Sequence, residues 1–363
     1  MVSKQLRQKW KEEYYKELFQ FIHDNPDKDW SYISLSKNPN TTWEIVKNNP
    51  NIPWDYGTNP NITWEIVKNN PQIPWNYRWL AENPNITWEI VKNNPQIPWC
   101  YSSLSANPNI TWEIVQNNPN KRWNYYLGLS KNPNITWEII QNNPDKDWNY
   151  KYFSYNPNVT WEIVKNNPDK EWDYYWLSAH LNITWEIVKN NPQIPWHYSS
   201  FSRNPNITIT WEIVKNNPEL EWDYSSVSEN PNITWEIVQN NPDKPWNYYW
   251  GLSQNPNITW EIVKNNLGQD WEYEYLSRNQ NITWEIVKNN PDKPWNYEFL
   301  SQNPNITIDI VKNNPDKDWN YNWFSYKPTM IKRFNYYIKK KEMTYKIIDR
   351  YTNRDIAEMI MLL

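Results

Sequence analysis

Few residues in this chain are of the types that do covalent or metal chemistry. The three histidines, His23, His180 and His197, are widely separated, and Cys100 is the single cysteine. A zinc site needs several thiolates or imidazoles at short spacing, so neither set has metal-ligand spacing. A nucleophile pair of Cys100 with His197 would have to reach across about four copies of the repeat described below. A stack in which each repeat touches only its neighbours forbids that. Phosphate-cradling loops need closely spaced glycines, and Gly57, Gly128, Gly251 and Gly268 stand far apart. The expectation is no catalytic residue, no cofactor and no metal, hence a chain that is not an enzyme.

Chemistry of recognition is better represented, because certain residues recur. Glu44, Glu65, Glu89, Glu113, Glu138, Glu162, Glu186, Glu212, Glu236, Glu261 and Glu285 would line up as a row. Such a row could bind cations. Most of these residues have a Lys or Gln three positions on, such as Lys92, so the row is read as a solvated, neutralised face. Regularly placed Trp and Tyr could stack bases, but base-stacking grooves are positively charged. These aromatics are read as core. Twelve Asn-x-Thr sequons occur, among them Asn85, Asn109 and Asn134, and they are read as turn and cap chemistry rather than glycan sites.

Two positions vary freely where the rest of the repeat is almost constant. They follow a fixed Tyr and include Arg78, Trp79, Tyr152, Tyr175, Trp176, Tyr249, Trp250, Tyr275, Phe299 and Trp323. A constant frame with a variable stripe rich in Trp, Tyr and Arg is the pattern of an interaction surface; drift at unconstrained positions would give variation too. Near the end of the chain, Lys332, Arg333, Lys339, Lys340 and Lys341 form a candidate basic patch for nucleic acid or an acidic partner. The alternative is the solvated face of a terminal helix.

The elements that must position these residues come from one recurring motif, N-P-N-I-T-W-E-I-V-K-N-N-P-x-x-P-W-N-Y-x-x-L-S-x. Its period of about 24 residues falls in the range of stacked-repeat arrays. The step from its first Trp to its second is constant: Trp43 to Trp54, Trp64 to Trp75, Trp88 to Trp99, and so on to Trp284 and Trp295. The return step varies, from Trp54 to Trp64 at its shortest to Trp196 to Trp211 at its longest, so length variation belongs to one edge of the stack. Gly128, Gly251 and an extra Ile-Thr pair at Ile209-Thr210 are insertions, and Gly57-Thr58 marks a shortened copy. T-W-E-I-V-K-N-N reads as a short helix with Thr as N-cap, an acid in the first turn and an apolar arc containing Trp112, Ile114 and Val115. Its exit, N-N-P, suggests Asn in the left-handed conformation usually left to Gly. P-W-N-Y-x-x-L-S reads as a second short helix of unassigned type.

The fold expected is therefore an all-α solenoid, α/α or α/3₁₀, of about twelve two-helix repeats. Residues 1–23 form an N-terminal capping helix on which Leu6, Trp10, Tyr14 and Leu18 share a face, 24–327 the array, and 328–363 a basic helical cap. Ile331, Phe334 and Ile338 mark the apolar face of that cap, which continues through Ile347, Ile348, Ile356, Met359 and Ile360. With 29 Trp and 26 Tyr but 4 Gly in 363 residues, the chain has enough aromatic surface to order itself. The net charge of −4 divides into nine basic and four acidic residues from Lys327 on, and 28 against 37 before it, that is +5 and −9. An acidic array is poorly suited to phosphates. The first 22 residues carry eight charges and no apolar run, which argues against a secretory signal or membrane span and for a reducing compartment.

The N-P-N-I-T-W-E-I-V-K-N-N-P blocks, over roughly residues 24–327, resemble the Asn/Trp-rich tandem-repeat proteins encoded by giant DNA viruses of amoebae. That resemblance implies a host cytoplasm, viral factory or virion as the setting and names no activity. A weaker similarity, in the order L-S-x-N-P-N-I-T-x-E-I-V, is to leucine-rich-repeat variants that alternate α- and 3₁₀-helices. This chain departs from them by placing Trp where small aliphatics stand, and it lacks a cysteine cluster. The function expected is a scaffold that holds a viral or host protein. A self-assembling virion component and a nucleic-acid-associated protein acting through the basic cap are the alternatives.

Overall fold

In the computed structural model, residues 2–204 and 206–351 are described. They belong to two compact units, Met1–Leu35 with Thr234–Leu363, and Ser36–Ile233. Both are built from the same all-α repeat, a pair of short helices recurring about every 24 residues. Among the described residues there is no strand.

The first helix of a repeat is six residues or fewer, as in Trp88–Asn93. Helices this short are unstable alone, so their ends must be satisfied. Thr87 does this at the N-terminus, its hydroxyl accepting from the Ile90 N–H at 3.4 Å. At the other end the structure departs from the expected left-handed exit, since no described residue has a positive φ. Asn94 sits at φ −129°, ψ 61°, and its side-chain amide donates to the Ile90 carbonyl at 2.7 Å. The asparagine side chain thus takes the place of the next backbone N–H of the helix, while the following proline holds the backbone out of helical geometry. The second helix has no single type. It is α at Tyr77–Glu82, 3₁₀ at Tyr56–Thr58 and Tyr198–Arg203, and π at Tyr125–Leu129 and Tyr248–Leu252. The two π turns contain the inserted Gly128 and Gly251, so an extra residue is absorbed as a one-turn bulge. A Cβ on Gly128 would lie 2.5 Å from that of Ser105, which is why the bulge carries glycine.

Three interactions stack one repeat on the next. The second Trp is buried in most copies, Trp222 and Trp271 being half-buried, and its indole N–H donates within its own repeat, Trp99 to Asn94 O at 3.1 Å. Its ring meets two from the preceding repeat: Trp64 at 5.7 Å, tilted, and Tyr77 at 5.8 Å, edge-on, the geometries that ring quadrupoles favour. A buried serine supplies the second link. Ser105 Oγ donates to Tyr101 O at 2.9 Å and accepts the N–H of Asn124, the N-cap of the next second helix, at 2.8 Å. The third link is an asparagine ladder. Buried Asn132 donates to the carbonyls of Ser105, Asn107 and Ile110 in the preceding repeat at 2.9, 3.0 and 3.2 Å. Its own Oδ1 accepts from Asn134 N at 2.8 Å. Asn134 in turn donates to Pro108 O and Ile110 O. The nitrogen that a glycan would use at this sequon is therefore engaged with the preceding repeat. His180 replaces one rung, with Nε2 against Asn156 O at 3.0 Å and Nδ1 accepting from Asn182 N at 3.1 Å. These partners fix the neutral tautomer, and burial lowers the pKa of the ring.

Within the unit that contains both chain ends, the first repeat stacks on the last. Ser31 N donates to Ser325 Oγ at 2.6 Å, and Trp30 meets Tyr321 edge-on at 5.2 Å. The N-terminal helix, Lys4–Asp24, packs on the C-terminal helix, Lys327–Tyr351. Tyr14 lies 5.5 Å from Phe334 and 5.3 Å from Tyr337, and Leu6, Trp10 and Tyr345 form a small core. The two helices thus cover each other. Ile356, Met359 and Ile360, and the side chain of Ile347, lie outside the described residues.

Candidate functional site

The variable stripe follows the fixed Tyr of the second helix. That Tyr packs inward on the next repeat's Trp, and the buried Leu, Phe or Val three or four residues on anchors the helix from below. The side chains between these anchors are left at the surface. Arg78 is exposed and Trp79 half-buried. Tyr126, Trp176 and Tyr249 keep 49%, 38% and 52% of their surface. Tyr152, Tyr175, Trp250, Tyr275, Phe299 and Trp323 are half-buried. None of the named Arg and aromatic residues of the stripe is buried, whereas Ser103 and Ser200, at the same variable position in other copies, are.

Neighbouring repeats bring these side chains into contact. In the unit Ser36–Ile233, Tyr126 meets Tyr152 at 5.7 Å, and Lys131 lies 4.5 Å above the Tyr152 ring. Trp176 is flanked by Tyr155 at 5.1 Å and Tyr175 at 5.2 Å, and Tyr175 also touches His197 at 4.9 Å. Trp79 stands apart from these rings, with Lys37 5.6 Å from its centre and Arg78 at 6.0 Å. In the other unit Tyr249, Tyr275 and Phe299 form a run with spacings of 5.6 and 5.9 Å. The guanidinium of Arg278 lies 4.9 Å from Tyr275 and 4.4 Å from Phe299. The charge of Glu272 beside Tyr249 raises its phenol pKa. Trp323 pairs instead with Tyr326 at 5.2 Å. Sequence reasoning placed Tyr126 at a variable position but missed Tyr155, His197 and Arg278 as members of this surface. Tyr155 and Arg278 follow the Ser of the motif and reach Trp176 and Phe299 in the next repeat, while His197, at the cap position, meets Tyr175 of the preceding one.

A feature of composition bears on the stripe. Twenty-four of the 29 tryptophans occupy the two frame positions. The five others are Trp10, Trp79, Trp176, Trp250 and Trp323, and four of these stand on the stripe. An indole at a surface position forfeits its transfer free energy, so such clustering calls for something that covers it.

The basic patch is not what the sequence suggested. Arg333 is 5% exposed. Its Nε donates to Ile306 O at 3.1 Å and its Nη2 to Ser301 O, with the Phe324 ring 3.7 Å from the guanidinium. Those carbonyls are the last-repeat equivalents of the ones that the asparagine ladder binds elsewhere. Lys327-Pro328 stands where Asn-Pro would be, and Arg333 closes the ladder in its place. Burial lowers its pKa to about 10, which leaves it cationic at neutral pH. Lys341 pairs with Glu13 at 3.6 Å. Lys332, Lys339 and Lys340 are exposed.

The glutamate row faces solvent on the first helices, and Glu261 pairs with Lys264 at 2.7 Å. Cys100 stands at an N-cap position without making the cap bond. Among the described residues no three His, Cys, Asp or Glu side chains converge as a metal would require, and no described helix is long and apolar enough to cross a membrane. No family model matches the chain, and neither a curated protein nor a solved structure is found to match it.

Proposed function

We propose that the array is a non-enzymatic scaffold that holds a protein partner through the aromatic stripe. The observation that carries this reading is the placement of four of the five non-frame tryptophans on one variable surface position, where Trp176 is exposed and the other three are half-buried. Rigid aromatics beside Arg and Lys anchor protein interfaces at small entropic cost. Repeats that vary freely at those positions present changing side chains along a nearly constant frame. In the setting that the repeat wording suggests, the partner is a viral or host protein within an infected cell. The nucleic-acid reading has less behind it, since Arg333 is buried and Lys341 is paired.

The test is capture from lysate of cells that make the protein, with three baits of equal helicity by circular dichroism. These are the wild type, a variant with Trp79→Ser, Trp176→Ser, Trp250→Ser and Trp323→Ser, and a control with Glu89→Gln, Glu113→Gln and Glu138→Gln. A partner held by the first and third and lost from the second supports the scaffold. An identical captured set from all three sinks it.

A further inference from the structure

The contact between residues 3–35 and the end of the array is made of the same parts as an internal repeat junction. At Ser301, the hydroxyl accepts the N–H of Asn320 at 2.9 Å, and Tyr297 meets Trp319 edge-on at 5.3 Å. At Ser325, the hydroxyl accepts the N–H of Ser31 at 2.6 Å, and Tyr321 meets Trp30 edge-on at 5.2 Å. The difference lies in the covalent connection. Ser301 and Asn320 are 19 residues apart, whereas Ser31 and Ser325 are 294 apart. Nothing in the contact itself requires that both halves belong to one chain.

From this equivalence we infer that residues 3–35 form a docking element for a second copy of this chain. The face built by Tyr321, Ser325 and the C-terminal helix is the site that receives it. Two copies can exchange these segments with the contacts of this junction retained, the condition under which domain swapping costs little. Intramolecular closure is favoured at dilute concentration by an effective concentration on the order of millimolar. Refolding at high protein concentration, or a bias built into the contact, favours exchange. The exchange is independent of the aromatic stripe, which lies on other residues.

The contact contains two ion pairs that provide such a bias, Arg7 with Glu342 at 2.6 Å and Lys341 with Glu13 at 3.6 Å. One full-length variant carries R7E and E13K, the other K341E and E342R. Within either variant alone, both pairs become like-charged. In an exchanged heterodimer, all four pairs are of opposite charge again. Each variant and the wild type are refolded alone, and the two variants are also refolded together. Products are read by light scattering after size exclusion and by two different affinity tags.

The expected result is a two-chain species holding both tags, enriched on the order of tenfold over that from two tagged wild-type preparations. If the separate variants do not fold, recovery of helical signal only on mixing supports the exchange equally. Folded, single-chain products from the mixture at every concentration would overturn it, as would failure of the mixture to recover folding.

Discussion

Two neighbouring junctions in the unit Ser36–Ile233 differ in their polar contacts and show which parts of the repeat are indispensable. Between the copies carrying Ser105 and Asn124, the serine link is formed, Asn124 caps its helix through Leu127 N at 2.9 Å, and its amide also reaches Ser102 Oγ at 3.1 Å. One junction earlier, Ala81 replaces the serine and Cys100 the cap. Both junctions keep the ladder and the tilted tryptophans. Asn107 donates to Ala81 O, Asn83 O and Ile86 O at 2.8, 3.0 and 3.1 Å, and Trp64 meets Trp99 at 5.7 Å, as Trp88 meets Trp123 at 6.0 Å. The ladder and the rings are thus the common frame, while serine and cap are local reinforcement.

Breaking the common part is expected to have the largest effect. Asn107→Ala removes its hydrogen bonds to three carbonyls and the acceptor of Asn109 N, although Asn83 O keeps Ile86 N and Ile86 O keeps the Asn109 amide; a loss of about 3 kcal/mol is expected, read from the midpoint and slope of urea unfolding. A loss below about 1 kcal/mol would mean that the ladder is not what joins the junctions. Gly128→Ala forces a methyl group against Ser105 at the reinforced junction and is expected to cost about 1–3 kcal/mol in the same measurement. Rebuilding the bare junction should go the other way. Ala81→Ser with Cys100→Asn restores a hydroxyl link and a cap, for a gain of about 1–2 kcal/mol in total. If the pair shows no gain in thermal midpoint, the two junctions do not differ as their hydrogen bonds indicate.

The smallest effect sharpens the comparison at a substituted rung. His180 is held neutral, with Nδ1 accepting and burial lowering its pKa. The unfolded chain binds a proton at this position more readily than the folded one. Its contribution is therefore full above the ordinary histidine range and is lost as pH falls through that range toward the depressed folded value. His180→Asn should flatten that part of the stability–pH curve, as followed by unfolding at successive pH values. An unchanged slope would assign the pH dependence elsewhere.

Much of this frame was legible in the sequence because it is periodic and local. The Thr N-caps, the indole spacing and the insertions at one edge each follow from short-range rules, and the helix pairs stand where those rules put them. The ladder was not legible. Asn59, Asn83 and Asn107 looked like turn residues, yet their amides act on carbonyls of the preceding copy, those of Thr41, Asn59 and Asn83, and backbone acceptors leave no mark on residue identity. Arg333 was misread for the same reason: its partners are the carbonyls of Ser301 and Ile306. The available clue was the loss of Asn-Pro at Lys327-Pro328. The stripe was visible as variation, but Tyr155, His197 and Arg278 join it only through contacts with neighbouring repeats, which their places in the motif do not announce.

The ladder has a consequence for how such a gene can change. Each amide reads main-chain oxygen of the copy before it, and main-chain oxygen is the same whatever that copy's side chains are. Any copy can then follow any other without compensating substitutions. Unequal crossing-over between near-identical coding blocks would delete, duplicate or shuffle copies and still leave each new neighbour pair matched. Surface residues can be reassorted in this way by recombination, without altering the bonds that hold the array together.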